Sequence, residues 1–439
     1  MSSIWEQAEA LKQEAVSRRR DVHRFPEPAW TEFRTTALIV EELQRLGFEV
    51  LFGADIIDGS TMMGVPDEAT LQNAAERAVS EGADAELVCK MNGGRTGVVG
   101  ILKTERPGKT AAFRFDIDCN DLQEAEDEQH FPCRDGFASV HSGAMHACGH
   151  DGHVAIGLLT ARLLVDNKDK LSGTVKLIFQ PAEEGVRGAL AMVKAGVVDD
   201  VDFFFGGHIG FKATNNNTLA VLSKGFLATA KLDAEFFGKA SHAGAAPEKG
   251  RNALLAAAQA AVSLNTIARH SGGASRINVG VMEAGTGRNV VPDYAILKLE
   301  TRGADSSVNA YMLEETRRIL KACADMYGVF LQERMMGSAP SCQPDEELSR
   351  EVAALLAKEC RYDELLAGVE LGGSEDCSYF MERVQQRGGR ALYLMYGSVI
   401  KSGHHSNHFD FDEDCLWRAA AALTTLAVYF TGKNFGGNA

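Results

Sequence analysis

Two short segments of the sequence bring together side chains that bind metals and transfer protons. In MHACGHDGH, residues 145–153, Cys148 and His150 lie two positions apart on a glycine-containing turn that precedes an apolar helix. A thiolate and a neutral imidazole are good ligands for zinc, and imidazole with carboxylate also suits manganese or cobalt. In QPAEEG, the adjacent Glu183 and Glu184 would point in opposite directions on an extended chain. One carboxylate could then bind metal while the other acts on a water molecule as a general base.

Four strand-like runs are each followed by acidic or imidazole side chains. The runs are AAFRF, KLIFQ, DFFFGG and LYLMYG, and the groups that follow them are, in order, Asp116 and Asp118, Glu183 and Glu184, His208, and His404, His405 and His408. In open α/β sheets, functional groups collect beyond the carboxyl ends of the strands, because the loops there face a common crevice. The sequence therefore predicts one polar site supplied by four strands.

Each of these residues also has an ordinary structural interpretation. Cys148 alone fits a small buried hydrophobe, and a lone histidine fits a core residue bonded to a backbone carbonyl. The Glu183–Glu184 pair alone fits a solvated helix N-terminus. A cluster that combines all of them is costly to bury unless ions or partners satisfy it, so the combination favours a metal site.

The apolar pattern around these motifs predicts an α/β chain with an inserted domain. Residues 1–48 have helical periodicity, and residues 50–95 form a polar, glycine-rich stretch with a helical centre that resembles an insertion or surface excursion. From residue 97, short β-prone runs alternate with helical stretches, which indicates a sheet with crossover helices. Between about Phe226 and Arg334 the order changes to βαββαβ, which is typical of a small α+β domain.

We therefore expect a discontinuous catalytic domain, residues 1–225 and 338–439, in which helices flank a mixed sheet. Residues 226–337 would form an inserted α+β domain with a dimerisation or lid role. At 439 residues the chain is long enough for two hydrophobic cores.

Composition and charge exclude several classes of protein. The formal net charge of -15 opposes binding to phosphate backbones, so nucleic acid is not an expected partner. The N-terminal segment lacks the continuous apolar core of a signal peptide, and no stretch approaches the roughly 20 apolar residues that span a bilayer. Nine scattered cysteines without a CxxC pair do not indicate a disulfide framework. We expect a cytoplasmic protein with reduced thiols and no membrane partner.

Nine sequence elements occur in an order that resembles the aminoacylase and carboxypeptidase superfamily of dinuclear metallohydrolases. They are RRRDVHRFPEPAWTEFRT, FRFDID, MHACGHDGH, FQPAEEG, HIG, SHAGAAPEKGRNA, GRNVVP, GGSEDCSYF and GHHSNHFDFDE. The resemblance covers nearly the whole chain. Within the superfamily, the chain is most similar to the p-aminobenzoyl-glutamate hydrolase branch, including the segment MGVPDEATLQ.

The resemblance implies two divalent metal ions in each subunit. It favours manganese, and the mixed ligand set would also accept zinc or cobalt. The implied ligands are Cys148, which would bridge the two ions, His150, Glu184, His208 and His405. Many relatives have a single histidine where this chain has His404 and His405, and the SxxF pattern that follows favours His405.

The same resemblance implies roles in catalysis. Glu183 would be the general base, and Asp116 would orient a ligand imidazole. His242, in SHAG, would reach the active site of a neighbouring subunit, where it would stabilise the oxyanion of the tetrahedral intermediate. That role requires a homodimer or a heterodimer with a homologous subunit. The ordinary alternative for His242 is a surface histidine in a glycine-rich turn.

Four further residues are candidates for substrate binding. GRNVVP offers Arg288 and Asn289, and a guanidinium matches the free carboxylate of an amino acid. Gly373 and Ser374 could add backbone or hydroxyl donors. Arg288 could instead pair with a surface acid.

The resemblance also implies a small-molecule substrate: p-aminobenzoyl-glutamate, or a related N-acyl-glutamate from folate breakdown, which would be cleaved to p-aminobenzoate and glutamate. A broader hydrolase of benzoyl or indolylacetyl amino acids is one alternative. A partner subunit with little activity alone is another. A thiol enzyme built on Cys148 and a neighbouring histidine is the third, and it accounts poorly for Glu183 and Glu184.

Overall fold

The computed structural model describes residues 2–359 and 361–432. The eight cysteines within these residues form no disulfide with one another, and Cys360, also expected to be a thiol, lies outside the described residues. The described helices are α1 (Ile4–Ala10), α2 (Lys12–Arg24), α3 (Phe33–Arg45), α4 (Glu68–Ser80), α5 (Ala85–Lys90), α6 (Phe131–Arg134), α7 (His150–Asp166), α8 (Ala189–Lys194), α9 (Ala253–Leu264), α10 (Ser306–Tyr327), α11 (Glu346–Glu359), α12 (Ser378–Gln386) and α13 (Cys415–Thr431).

The strands form two sheets. The larger sheet contains β1 (Glu49–Phe52), β2 (Val98–Lys103), β3 (Thr110–Asp116), β4 (Thr174–Gln180), β5 (Phe203–Ile209), β6 (Thr218–Lys224), β11 (Glu364–Glu370) and β12 (Arg390–Tyr396). The smaller sheet contains β7 (Ala228–Phe237), β8 (Ser275–Ala284), β9 (Tyr294–Gly303) and β10 (Phe330–Ala339).

The eight-stranded sheet brings the four predicted strand ends together. Its order is β1-β2-β4-β3-β5-β12-β6-β11. The central strands β4, β3, β5 and β12 run parallel to one another, whereas β2 and β6 pair antiparallel with β4 and β12. The carboxyl ends of the four parallel strands therefore lie at the same end of the sheet. The predicted α/β class with a mixed sheet is confirmed.

Helices cover both faces of this sheet because successive side chains on a strand point to opposite faces. On β5, the rings of Phe203 and Phe205 lie 4.8 and 5.4 Å from that of Phe430 on α13. The ring of Phe204, between them, stacks on Phe380 of α12 at 5.6 Å. These phenylalanines are fully buried, and burial of each side chain contributes roughly 1.5–3 kcal/mol to folding.

Helix α7 starts earlier than the predicted position after Gly152. It begins at His150, directly after Gly149, whose φ of 90° is accessible to glycine without strain. A Cβ atom at Gly152 would lie 2.6 Å from the side chain of Ile209, and one at Gly157 would lie 2.5 Å from that of Phe179. The glycines therefore let α7 lie close against the sheet, with His150 in its first turn.

Residues 50–95 are packed against the rest of the fold. They include α4 and α5, which share a small core with α3 formed by Phe33, Ala37, Ala74, Ala78, Val88 and Met91. Nε1 of Trp30 also donates a 2.8 Å hydrogen bond to the carbonyl of Met63. The predicted surface excursion therefore packs on α3 through one face of α4 and α5, whose other residues are exposed or half-buried.

The chain divides into two compact units. The first comprises Met1–Lys224, Gln343–Leu371 and Tyr379–Ala439, and the second comprises Gly225–Cys342 and Gly372–Ser378. The second unit has the element order β7-α9-β8-β9-α10-β10, an antiparallel sheet with two helices. It also includes residues 338–342 and 372–378, which the sequence prediction places in the first domain. Strand β10 stays paired with β7 as far as Ala339, and the amide of Leu227 donates to the carbonyl of Gly373.

Among the described residues, none of the helices has both the length and the apolar character needed to cross a bilayer.

Candidate metal centre

Cys148 belongs to two groups of potential metal ligands at once. One group contains Cys148, His150 and His208, and the other contains Cys148, Glu184 and His405. Within each group the ligand atoms lie within 4.8 Å of one another, and Sγ of Cys148 is 3.4 Å from Nε2 of His208. These are the five ligand candidates from the sequence, and a thiolate shared by two such groups can bridge two cations.

His150 is oriented by a backbone hydrogen bond. Its Nδ1 donates to the carbonyl oxygen of Asp118 over 2.9 Å. Nε2 is buried and has no hydrogen-bond partner among the described residues; Asp116 Oδ2 and Glu183 Oε2 lie 3.8 and 3.9 Å away. A buried nitrogen without a partner is costly, and a cation among these groups would satisfy it.

Asp116 contacts a histidine that the sequence reasoning missed. Its Oδ1 accepts a hydrogen bond from Nδ1 of His153, while Nη1 of Arg114 donates to Oδ2 over 2.5 Å. Nε2 of His153 accepts a 2.9 Å hydrogen bond from the amide of Ile209, so both ring nitrogens are occupied. Asp118, through its carbonyl, is the residue that orients His150. The spacing could have revealed His153, which lies one helical turn after His150.

The charges of the cluster favour a cation. Burial disfavours a charged His150, but the carboxylates of Asp116 and Asp118 outweigh it and raise its pKa to about 10. For Glu184, burial is outweighed by the hydrogen bond from His405 and the charge of His150, which lower its pKa to about 2. Burial, assisted by His153, holds the pKa of His208 well below its usual value, which leaves the neutral imidazole that metals bind.

Glu183 and Glu184 lie in a turn, so the extended-chain prediction is wrong. The flanking Ala182 and Val186 have φ values of 53° and 59°, a region that residues with side chains rarely adopt. Oxygen atoms of both glutamates lie within 4.8 Å of a ring nitrogen of His150 and of each other. Both carboxylates therefore face the same cluster instead of opposite sides of the chain.

A buried carboxylate from α3 holds the start of this turn. Oε1 of Glu32 accepts a 2.8 Å hydrogen bond from the amide of Ala182, and Oε2 accepts one of 2.6 Å from the hydroxyl of Thr96. Glu32 is the N-cap residue of α3 and is fully buried. The N-terminal helices thus fix the backbone that carries the glutamate pair.

The two adjacent histidines of the last motif, His404 and His405, have different contacts. Nε2 of His405, whose φ is 62°, lies 3.3 Å from Oε1 of Glu184. His404 instead donates to the carbonyl of Ile209 over 3.2 Å and stacks on Phe211, with ring centroids 4.1 Å apart. Burial lowers the pKa of His404 to about 4. The geometry brings His405 into the ligand group.

A second buried polar network connects α2 to α7. Arg19 donates to Asp151 Oδ2 over 2.7 Å and to Asp410 Oδ1 over 2.9 Å. His23 bridges Asp151 and Glu124, at 2.8 and 2.9 Å from its two ring nitrogens. Asp151 follows His150 in the sequence, so the network anchors the first turn of α7.

Glu124 is the centre of the outer half of this network. Its Oε1 lies 2.6 Å from Nε2 of His130 and 2.9 Å from that of His23, while Oε2 accepts a hydrogen bond from the amide of Ser139. His23, Glu124 and His130 are close enough to share a metal, but hydrogen bonds of ordinary length explain their contacts. His408, the third histidine predicted to follow the strand LYLMYG, bonds through Nε2 to Oδ2 of Asp127 over 2.7 Å.

The second unit contains His242. Its Nδ1 accepts hydrogen bonds from the amides of Gly244 and Ala245, at 3.1 and 3.0 Å. The neutral ring therefore carries its proton on Nε2, and the residue is exposed. His242 also pairs with Val290, next to Asn289, whose carbonyl accepts from the amide of Ala243 over 2.9 Å.

The remaining substrate-binding candidates also lie in the second unit. Arg288 is exposed and has no carboxylate within 4.0 Å among the described residues, so the ion pair with a surface acid is not formed there. Oγ of Ser374 is buried without a hydrogen-bond partner in the described part of the chain, and the carbonyl of Gly373 is used by Leu227.

Residues 112–429 match the model of peptidase family M20/M25/M40. The chain belongs to this family. It is 49% identical to indole-3-acetyl-aspartic acid hydrolase of Enterobacter agglomerans, over 97% of this chain and 96% of that protein. It is also 49% identical to one of the subunits of p-aminobenzoyl-glutamate hydrolase of Escherichia coli K12, over 94% of both.

Solved structures of relatives have the same fold. The crystal structure of an aminobenzoyl-glutamate utilization protein from Klebsiella pneumoniae is 41% identical, with a TM-score of 0.83 and 97% of both chains covered. A protein of Bacillus subtilis described as a dinuclear metal binding peptidase of the M20 family is 25% identical, with a TM-score of 0.66 over 96% of this chain and 99% of that one. These matches confirm the predicted superfamily and the prediction of a hydrolase.

Proposed function

We propose that the chain hydrolyses the amide bond between an acyl group and an acidic amino acid, at a centre of two divalent cations. The observation that carries the proposal is the position of Cys148 in two ligand groups, next to a third group that contains Glu183. The partnerless Nε2 of buried His150 and the mixed thiolate, imidazole and carboxylate donors fit such ions. The dinuclear metal site named for the Bacillus subtilis relative supports it.

Each cation would have three ligands from the chain. Cys148, His150 and His208 would hold one, and Cys148, Glu184 and His405 the other. When bound, the two cations would polarise the scissile carbonyl and make a water molecule more acidic. Manganese is our first choice on the family resemblance alone, and the mixed donors would also accept zinc or cobalt.

The side chains of the protein would move the protons. Glu183 would take a proton from the attacking water and deliver it to the leaving nitrogen, because its carboxylate lies beside His150 at the cluster. Asp118 would keep Nε2 of His150 directed at the cations through its bond to Nδ1. Asp116 would hold the ring of His153, which in turn accepts a hydrogen bond from the amide of Ile209, next to His208.

The second unit would bind the substrate. His242 already has Nδ1 occupied, so its Nε2–H is the donor it could offer to an oxyanion in a neighbouring subunit. Arg288, which has no acidic partner in the described chain, would bind the α-carboxylate of the amino acid, and Asn289, Gly373 and Ser374, which belong to the same unit, would add further donors. The assembly would be a dimer of like or homologous subunits.

p-Aminobenzoyl-glutamate and indole-3-acetyl-aspartate are the first substrates to test, since the relatives are named for these conjugates. The purified chain, reconstituted with manganese, should hydrolyse at least one of them and lose activity to a chelator. Activity that survives complete metal removal would favour the thiol enzyme.

A second candidate follows from the name of the Escherichia coli relative, which is one subunit of an enzyme. In that case the chain would need a homologous partner for full activity. A reconstituted chain that binds two metals but turns over only after mixing with such a partner would support this candidate.

A further inference from the structure

The turn that carries Glu183 and Glu184 also carries an arginine. The amides of Arg187 and Gly188 donate to the carbonyl of Ala182 over 3.1 and 2.9 Å, and the amide of Val186 donates to that of Glu183 over 2.6 Å. These bonds close the turn into a compact loop. The backbone of Arg187 is therefore fixed relative to the two glutamates.

The side chain of Arg187 folds back against Gly185. A Cβ atom at Gly185 would lie 2.5 Å from its Nε and 3.0 Å from its Nη2, so the guanidinium occupies the space that the glycine leaves open. Gly185 directly follows Glu184 and has a φ of 90°, a conformation that residues with a side chain rarely adopt. The loop thus places the guanidinium against the backbone at Gly185, directly after Glu184.

This guanidinium has no acidic partner within the described chain. No carboxylate of residues 2–359 and 361–432 lies within 4.0 Å of it; Glu183 and Glu184 form ion-pair contacts with His150 and His405. Arg187 is only partly buried. Its hydrogen bond to Gly64, 3.3 Å long, uses one of five N–H donors, which leaves the others for a ligand.

Residues 50–95 help to hold this guanidinium. The carbonyl of Gly64 accepts from Nη1 of Arg187, and the carbonyl of the preceding Met63 accepts from Nε1 of the buried Trp30. Trp30 therefore fixes the backbone that orients Arg187. The segment, which the sequence pattern left without a role, therefore helps to position Arg187.

We infer that Arg187 binds the side-chain carboxylate of the substrate's acidic amino acid and determines specificity for glutamate or aspartate conjugates. The inference rests on the proposed function. Such a substrate has two carboxylates, and the proposed contact with Arg288 accounts only for the one on the α-carbon. The second carboxylate needs a donor of its own, and a guanidinium binds a carboxylate through two parallel hydrogen bonds.

The test compares p-aminobenzoyl-glutamate with p-aminobenzoyl-glutamine, which differ by one charged group. The manganese-loaded wild type should prefer the glutamate conjugate in kcat/KM by about 10- to 100-fold, the range expected for charged hydrogen bonds. Arg187→Gln should lower kcat/KM for the glutamate conjugate by a similar factor and change that for the glutamine conjugate by less than about threefold. Arg162→Gln, which neutralises a half-buried arginine in the last turns of α7, should behave as the wild type.

Several outcomes would overturn the inference. Arg187→Gln could lower both substrates equally, which would indicate a structural role for the loop, or leave the preference unchanged. The metal content and unfolding temperature of Arg187→Gln should match those of the wild type. If this variant folds poorly, Arg187→Lys replaces it in the test, and it should retain part of the preference because it keeps the charge. A wild type that is active without preference refutes the specificity alone, whereas one inactive on every N-acyl amino acid refutes the proposed function as well.

Discussion

Glu183 and Glu184 are neighbours in the chain but have different contacts. The carboxylate of Glu184 contacts His405, and its amide donates a 2.8 Å hydrogen bond to Oδ2 of Asp118. Oε2 of Glu183 lies 3.9 Å from Nε2 of His150. A ligand must contact the cation, and a general base must contact the water. These contacts favour Glu184 as the ligand and Glu183 as the base.

Replacing Glu183 by Gln should therefore lower kcat by about 100- to 10,000-fold, the range for loss of a general base. The variant should still bind two metal ions per chain, because Glu183 is not among the proposed ligands. The matched Glu184→Gln variant should lose metal as well as activity. Metal analysis and initial rates on the same preparations check both, and high turnover by Glu183→Gln would remove the base assignment.

The proximity of Cys148 and His150 could be predicted from their spacing, two positions apart in the sequence. The rule that functional groups collect beyond strand ends predicted that His208 would join them, and all three lie in one ligand group. The bonds of Asp116 to Arg114 and His153 were not predicted, because each of them depends on side-chain orientation within a packed interior. The role that we propose for Arg187 was also not predicted, since a lone arginine after QPAEEG has no spacing signal.

At the scale of elements, His23 of α2 bonds to Asp151 in the first turn of α7. The other ring nitrogen of His23 bonds to Glu124, which lies between the two helices in the sequence. Burial opposes ionisation of Glu124, but the hydrogen bonds from His130 and His23 outweigh it and lower its pKa from 4.5 to about 2. A carboxyl group whose pKa is lowered on folding stabilises the protein above the unfolded pKa. That stabilisation is lost as the pH falls from about 4.5 towards 2.

Glu124→Gln should consequently destabilise the metal-free protein at pH 7 by up to about 3 kcal/mol. The difference from the wild type should narrow as the pH falls below 4.5, where the wild-type carboxyl begins to be protonated. Urea unfolding at several pH values measures this difference. Glu126→Gln, an exposed neighbour, serves as the control and should follow the wild type; a difference for Glu124→Gln that does not change with pH would contradict the account.

Elements were predictable where their apolar pattern is strong. The buried strands β3, β4, β5 and β12 and the whole βαββαβ order of the second unit appear where the sequence places them. Strands β1, β6 and β11 are absent from the prediction. β11 is exposed or half-buried along its length, and its pairing with β6 joins segments far apart in the sequence, so no local pattern marks it.

For the whole molecule, the proposed dimer makes a prediction about shared active sites. If each active site takes Glu183 from one subunit and His242 from the other, Glu183→Gln and His242→Ala remove groups that two different chains contribute to one site. Mixing the two inactive variants under conditions that exchange subunits should restore up to about a quarter of the wild-type activity, since half of the dimers are mixed and each has one intact site.

The control for this experiment is each variant mixed with itself, which should stay inactive. No restoration, despite subunit exchange shown by differently tagged chains, would place His242 in the site of its own subunit or outside the reaction. Restoration above the self-mixed controls requires residues from two chains in one site.

The central claim is that Cys148 is shared by two bound cations. After reconstitution with manganese or zinc and removal of excess metal, elemental analysis of the wild type should give about two ions per chain, and Cys148→Ala should retain fewer than one because both ligand groups lose a donor. A wild type that holds at most one ion, or a Cys148→Ala variant that still holds two, would contradict the account.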